Sequence, residues 1–107
     1  MSYNIRTIPP FEKQFKRLYK KFPSLKSDVE ILIKKLESDP ETGTALGHDC
    51  YKIRLAVTSK GKGKSGGARV ITCIVTKKTE VYLLYIYDKS DQSTITDKEL
   101  LQLLDYI

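Results

Sequence analysis

Several basic side chains with no carboxylate among them stand out in the middle of this sequence. Lys52 and Arg54 lie two residues apart in the segment YKIRLAV, and Arg69 opens the segment ARVITCIVT. If the two segments are paired strands, alternation puts Lys52 and Arg54 on one face, about 6.5 to 7 Å apart, and the hairpin can bring Arg69 to that face. Such cations repel each other unless the face is solvated or receives an anion. We expect a phosphate-binding face.

A third apolar segment, EVYLLYIY, extends this set. Tyr87 and Lys89 leave it two residues apart and so share a face. The cluster must therefore be positioned by three neighbouring strands.

The positive charge of the chain is concentrated in one region. The net charge is +6, yet the stretch from Lys52 to Lys78 holds eight basic residues and no acidic one, whereas residues 79–107 hold two basic and six acidic residues. This distribution favours a polyanionic partner, nucleic acid first. Besides the cluster above, the basic residues of this region are Lys60, Lys62, Lys64, Lys77 and Lys78.

The stretch KGKGKSGG looks at first like the end of a nucleotide-binding P-loop. That motif requires a glycine five residues before Gly63, where this chain has Thr58, and a helix after the loop, where this chain has a strand pattern. A helix N-terminus that could hold a nucleotide phosphate is therefore missing from the pattern. We interpret residues 60–67 as a long hairpin connection whose lysines are mobile charges suited to a phosphate backbone.

The remaining patterns define one α+β domain over residues 1–107. A short strand is predicted first, then two helices joined as a hairpin, then a loop over residues 41–49. Three strands and a helix that begins with a Thr96–Glu99 capping box follow. The predicted order is β-α-α-β-β-β-α, with the helical hairpin and the C-terminal helix packed around a small, mainly antiparallel sheet. The predicted strands are 2–8, 51–57, 68–76 and 80–87.

Composition argues against several other classes of protein. No apolar run approaches the roughly 18 to 20 residues of a membrane helix, and the N-terminus has no signal-peptide core. One histidine and two cysteines are too few for an ordinary zinc site. We expect both cysteines to be reduced, in a cytoplasmic protein without metal, cofactor or membrane partner.

Three motifs in this order resemble the RelE/ParE superfamily of bacterial type II toxins, and most of all its RelE/HigB-like branch. They are CYKIRL at residues 50–55, GARVI at 67–71 and IYDK at 86–89. The resemblance covers essentially the full chain and implies a RelE-like fold. It also implies an endoribonuclease that cuts messenger RNA in the ribosomal A site, inhibits translation and is held inactive by an antitoxin protein.

The resemblance further implies roles for the basic residues. In RelE-like cleavage the 2′-hydroxyl of the RNA attacks the phosphate, so the enzyme needs neither metal nor nucleophile but must orient the RNA and stabilise charge. The family pattern has basic residues at the positions of Lys52, Arg54 and Arg69, and another near the position of Lys89. The five lysines at positions 60, 62, 64, 77 and 78 would contact RNA or the ribosome.

The sequence departs from the family pattern at one position. RelE-like chains often carry a tyrosine, a candidate base, where this chain has about Thr96. His48, with a near-neutral intrinsic pKa, and Tyr87 are the substitutes. Tyr87 has an unperturbed pKa of about 10 and would need strong cationic neighbours to act as a base.

Two other functions stay open at this point. A ParE-like protein would inhibit gyrase by docking, which requires no phosphate-binding constellation. A degenerate member would bind RNA or its antitoxin without cutting, as the missing tyrosine would allow.

Overall fold

The computed structural model describes residues 2–61 and 63–107, which form a five-stranded sheet and three helices. The strand order across the sheet is β1-β5-β4-β3-β2; of the four strand pairs in the described part of the chain, β1–β5 is parallel and the other three are antiparallel. The α+β architecture predicted from the sequence is confirmed. In chain order the elements are β1 (Asn4–Thr7), α1 (Pro9–Lys21), α2 (Leu25–Ser38), β2 (Thr44–Gly47), β3 (Cys50–Leu55), β4 (Ala68–Val75), β5 (Glu80–Asp88) and α3 (Asp97–Leu104).

The prediction of a loop over residues 41–49 is wrong, because this segment contains the edge strand β2. Its four residues, TALG, carry no alternating apolar pattern, and only Leu46 is half-buried. The strand is created instead by a tight turn at His48 and Asp49, whose φ angles of 55° and 60° suit a two-residue hairpin. This turn returns the chain antiparallel to the start of β3.

The helical hairpin covers one face of the sheet. Prolines occupy the first positions of α1, where their fixed φ favours helix initiation, and Phe11 and Leu18 turn inward. The buried residues of α2 belong to the same hydrophobic core as Ile53 and Leu55 of β3. The central strand β4 is buried from Ala68 to Ile74, as its apolar composition predicted. The C-terminal helix α3 packs against β5.

Polar contacts attach the segment after β3 to the start of α2. Asp28 is 7% exposed and accepts hydrogen bonds from the backbone N–H of Thr58 (3.1 Å), the Thr58 hydroxyl (2.7 Å) and the Ser24 hydroxyl (2.8 Å). The Ser24 oxygen also accepts from the Ser59 backbone N–H (2.9 Å). A carboxylate buried beside an apolar core is tolerated because its oxygens are satisfied in this way.

Lys60 ends the same segment and forms a buried ion pair. Its Nζ lies 2.6 Å from Oδ1 of Asp88 and 3.2 Å from the Ser90 hydroxyl, and 5.4 Å from the centroid of the Phe22 ring. The two charged side chains are 8% and 4% exposed. The pair therefore connects the segment after β3 with the end of β5. No helix among the described residues has the length and apolar character required to cross a membrane.

We predict that Lys60→Met destabilises the protein by about 3 kcal/mol, because the Asp88 carboxylate then stays buried without its cation. The double variant Lys60→Met/Asp88→Asn should recover part of this loss in urea unfolding. A double variant no more stable than Lys60→Met would contradict this account of the pair.

The same pair predicts an acid-sensitive contribution to stability. Burial alone would raise the pKa of Asp88, but hydrogen bonds from Lys60 and Ser90 outweigh burial and lower that pKa. The contribution is therefore present above the unfolded pKa of about 4 and is lost as the pH falls through the folded value. Unfolding free energies measured from pH 6 to pH 2 should fall less steeply in the double variant than in the wild-type chain.

Candidate phosphate-binding site

A row of three side chains crosses the three central strands at one end of the sheet. Arg54 of β3 lies directly opposite Arg69 of β4, and Arg69 lies opposite Tyr87 of β5. The next row contains Lys52, opposite Ile71. Ile53 and Leu55, the alternate residues of β3, are buried in the core, so Lys52 and Arg54 lie on the opposite face of that strand. The cations predicted to share a face therefore do so.

The two arginines are directed to different environments. Arg54 is exposed, whereas Arg69 is only 5% exposed. The guanidinium of Arg69 donates through Nη1 to the carbonyls of Lys64 (3.0 Å) and Ala68 (3.1 Å), and through Nη2 to that of Ser65 (3.3 Å). These bonds occupy three of the five guanidinium N–H groups. Arg69 thus lies beneath the chain that joins β3 to β4.

That chain is the glycine-rich loop (residues 61–67, of which the structure describes 61 and 63–67), and its last residue lies close to the strands on either side. A Cβ on Gly67 would lie 2.0 Å from the Leu55 carbonyl oxygen, so only glycine permits this approach. The Gly67 carbonyl accepts a hydrogen bond from the backbone N–H of Lys89 (3.1 Å). The exposed Lys64 lines a groove with Arg54. Lys64 and the half-buried Lys89 therefore flank the row.

Tyr87 is enclosed at the β5 end of the row. It is 1% exposed, and its hydroxyl finds no hydrogen-bond partner among the described residues. Burial raises the pKa of Tyr87. The nearby positive charge of Arg69 lowers this pKa and the negative charge of Glu99 raises it, and the sum of the three effects is a raised pKa. In this conformation Tyr87 is a neutral hydroxyl rather than a base, although the predicted cationic neighbour is present.

The structure does not bring His48 to this row. His48 is exposed in the turn before β3. It lies six residues before Arg54, which corresponds to about 20 Å along an extended strand. Lys77 and Lys78 are exposed in the turn between β4 and β5, at the opposite end of β4 from Arg69.

The ammonium group of Lys60 is buried against Asp88, so it is not presented to a ligand as the sequence suggested. Lys62 lies outside the described residues.

Thr96, which the resemblance sets at about the position of a RelE tyrosine, begins a helix in this structure. Its hydroxyl accepts from the Glu99 backbone N–H (3.1 Å) and the Glu99 carboxylate accepts from the Thr96 backbone N–H (2.9 Å), which confirms the predicted capping box. These bonds lower the pKa of Glu99. The helix that they begin packs against β5.

Tyr85 was not predicted from the sequence as a residue of this site. This half-buried residue lies opposite Ile71, one row from Tyr87 on the same face, and its hydroxyl accepts a hydrogen bond from Nε2 of Gln14 (3.0 Å). It lines a cavity with Glu99 and Tyr106 of the C-terminal segment. Two-residue alternation back from Tyr87 was the signal that could have identified it.

The chain matches a family model described as the RelE toxin of the RelE/RelB toxin-antitoxin system, over residues 11–106. It belongs to the RelE toxin family. The family predicted from the three motifs is therefore confirmed, while placement in the HigB-like branch stays a prediction.

Solved structures of RelE proteins have the same fold. A mutant of the E. coli toxin RelE in the free state is 16% identical, with a TM-score of 0.66 over 100% of this chain and 99% of that one. The toxin in the intact E. coli RelBE complex is 17% identical, with a TM-score of 0.62 over 81% and 96%. The Mycobacterium tuberculosis RelBE2 complex gives 18% identity and a TM-score of 0.61 over 85% and 95%.

We predict that Arg69→Lys loosens the glycine-rich loop, because one ammonium group cannot reproduce the three carbonyl bonds. Losing about 1.5 kcal/mol of charge-assisted hydrogen bonding should speed amide hydrogen exchange of residues 63–67 roughly tenfold, while residues 70–74 keep their protection. Arg54→Lys is the matched control and should change neither set. Unchanged exchange of residues 63–67 in Arg69→Lys would show that Arg69 does not hold the loop.

Proposed function

We propose that this chain is the toxin of a type II toxin-antitoxin system and a metal-independent endoribonuclease that cuts messenger RNA on the ribosome. The observation that carries the proposal is the Arg54–Arg69 pair beside Lys52, on two rows of strand residues that contain no acidic side chain. Such a concentration of cations suits a phosphate whose negative charge increases during reaction.

The role of each basic residue would depend on how exposed its side chain is. Arg54 and Lys52 reach the surface and would bind the non-bridging oxygens of the scissile phosphate, Arg54 through its planar fork. Arg69 would add positive charge from beneath while it holds the loop in place. Lys89 and Lys64, at the margin, would contact neighbouring phosphates.

The reaction would use the RNA's own 2′-hydroxyl as nucleophile. As the hydroxyl oxygen bonds to phosphorus, the bond from phosphorus to the 5′-oxygen of the next nucleotide breaks, and the cations stabilise the charge that builds on the phosphate. Neutral Tyr87 is suited to donating a hydrogen bond rather than to accepting the proton. His48, remote from the row, has no part in the proposed chemistry.

A protein antitoxin is the proposed inhibitor. Two of the solved structures described above, from E. coli and M. tuberculosis, are complexes of a RelE toxin with its antitoxin. We propose a corresponding partner for this chain, and action in the cytoplasm, where ribosomes and messenger RNA are found.

Expression of the chain without an antitoxin should arrest growth by stopping translation. Primer extension on a message bound to purified ribosomes should reveal cuts within the A-site codon. Intact messenger RNA together with accumulated gyrase–DNA damage would contradict the ribonuclease proposal and favour the gyrase inhibitor. Intact messenger RNA without such damage would favour a member that only binds.

Arg54→Ala should lower the single-turnover cleavage rate about 10²-fold, since loss of one transition-state charge contact costs on the order of 3 kcal/mol. Arg69→Ala should lower the rate by a similar factor, because it removes both a positive charge beneath the phosphate and the anchor of the glycine-rich loop. Lys34→Ala, which removes an exposed lysine from α2, is the control and should cleave at the wild-type rate. Circular dichroism would verify folding. A folded Arg54→Ala variant with full activity would exclude Arg54 from the site.

The peripheral lysines should act on ribosome affinity rather than on chemistry. Lys77→Ala/Lys78→Ala should weaken ribosome binding and reduce the slope of log affinity against log salt by about two, one per phosphate contact. The cleavage rate at saturating protein should not change. Lys62→Ala is expected to behave in the same way. An unchanged salt slope would remove Lys77 and Lys78 from the ribosome-binding surface.

A further inference from the structure

The only two cysteines of the chain face each other across the β3–β4 pair. In the adjoining position, the backbone N–H of Ile74 donates to the Asp49 carbonyl (2.9 Å). Hydrogen-bonded and non-hydrogen-bonded positions alternate along an antiparallel pair, so Cys50 and Cys73 occupy a non-hydrogen-bonded one. Cα atoms in that position are about 4.5 Å apart, within the roughly 4.4 to 6.8 Å that a disulfide spans.

Both thiols are directed to the same point. The Sγ atoms of Cys50 and Cys73 lie 3.4 Å and 3.7 Å from the same oxygen, the carbonyl of His48. Cys50 is 1% exposed and Cys73 6% exposed, so Cys73 is the more accessible of the two. Cys50 lies two residues before Lys52 and on the same face of β3 as Lys52 and Arg54.

We propose that Cys50 and Cys73 are a redox-modification site that closes to an intramolecular disulfide when the protein meets hydrogen peroxide. The Cys73 sulfur attacks one peroxide oxygen, the O–O bond breaks, and the product is a sulfenic acid and water. The Cys50 sulfur then attacks the Cys73 sulfur, the S–S bond forms, the S–O bond breaks, and the Cys50 proton leaves with the hydroxyl as a second water.

The order of the two steps follows from exposure. Cys73 is 6% exposed and Cys50 only 1%, so hydrogen peroxide reaches Cys73 first and Cys50 resolves the intermediate. The interaction between the two thiols acts in the same direction, because it lowers the pKa of Cys73 and raises the pKa of Cys50.

The disulfide would link the strands that carry Arg54 and Arg69. It encloses residues 51–72, and therefore the glycine-rich loop, in a covalent ring. Closing a ring of this size restricts the unfolded chain and should raise the melting temperature by about 10 °C. The oxidised toxin would keep the register of its basic rows under conditions that unfold the reduced protein.

The test treats the purified reduced chain with a small excess of hydrogen peroxide and then measures free thiols, intact mass and melting temperature. The wild-type chain should lose both thiols, become lighter by two hydrogen atoms, stay monomeric in non-reducing electrophoresis, and return to its starting mass with dithiothreitol. In Cys50→Ala, dimedone should trap a sulfenic acid on Cys73, because the resolving thiol is missing.

Three results would overturn the proposal. They are retention of both thiols, a disulfide between two chains, and over-oxidation of either cysteine without an internal bond. The wild-type measurement is decisive even if a cysteine variant fails to fold. Repeating the oxidation in urea tests whether the native strand pairing brings the thiols together. The internal disulfide should form faster in the folded chain than in the unfolded one. Faster closure in urea would show that the native strands do not hold the thiols together.

Discussion

The central constraint in this structure is the direct opposition of Arg54 and Arg69 on neighbouring strands. Like charges in this position normally destabilise an antiparallel pair. Here the repulsion is reduced because Arg54 extends into solvent while the guanidinium of Arg69 is bound by three loop carbonyls. The partial negative charges of those carbonyls hold one arginine below the surface and leave the other free to meet a ligand.

This arrangement depends on the path of the glycine-rich loop, and the loop depends on contacts far from the row. On the β3 side, Asp28 and the Lys60–Asp88 ion pair fix the segment that enters the loop. On the β4 side, Gly67 passes so close to the Leu55 carbonyl that no side chain fits. The helical hairpin therefore supports the site through the segment after β3.

Much of this was predictable from local patterns. Two-residue alternation placed Lys52 and Arg54 on one face, and the hairpin interpretation brought Arg69 to the same face, because strand geometry converts spacing directly into position. Because the P-loop motif was incomplete, the sequence predicted a loop that leads into a strand, and β4 does follow this loop. The Thr96–Glu99 capping box was also predictable from the sequence, since its two residues are only three positions apart.

The features that escaped prediction depend on distant partners. Lys60 was predicted to be a mobile loop cation. Its partner Asp88 is 28 residues further along the chain, so the local sequence gives no sign of the ion pair. The burial of Arg69 depends on where the loop carbonyls lie, which composition does not determine. The strand β2 exists because of the backbone turn at His48 and Asp49, and the same turn carries His48 away from the row.

The central claim is that the basic row promotes attack by the RNA's own 2′-hydroxyl. Its most direct test replaces that hydroxyl by hydrogen at the scissile nucleotide of a message on intact ribosomes, with end-group analysis of the all-ribose control. The account predicts binding without cleavage of the modified message. It also predicts a 2′,3′-cyclic or 3′-phosphate on the upstream control fragment and a 5′-hydroxyl on the downstream one. Cleavage of the 2′-deoxy message, or a 5′-phosphate on the downstream fragment, would contradict it.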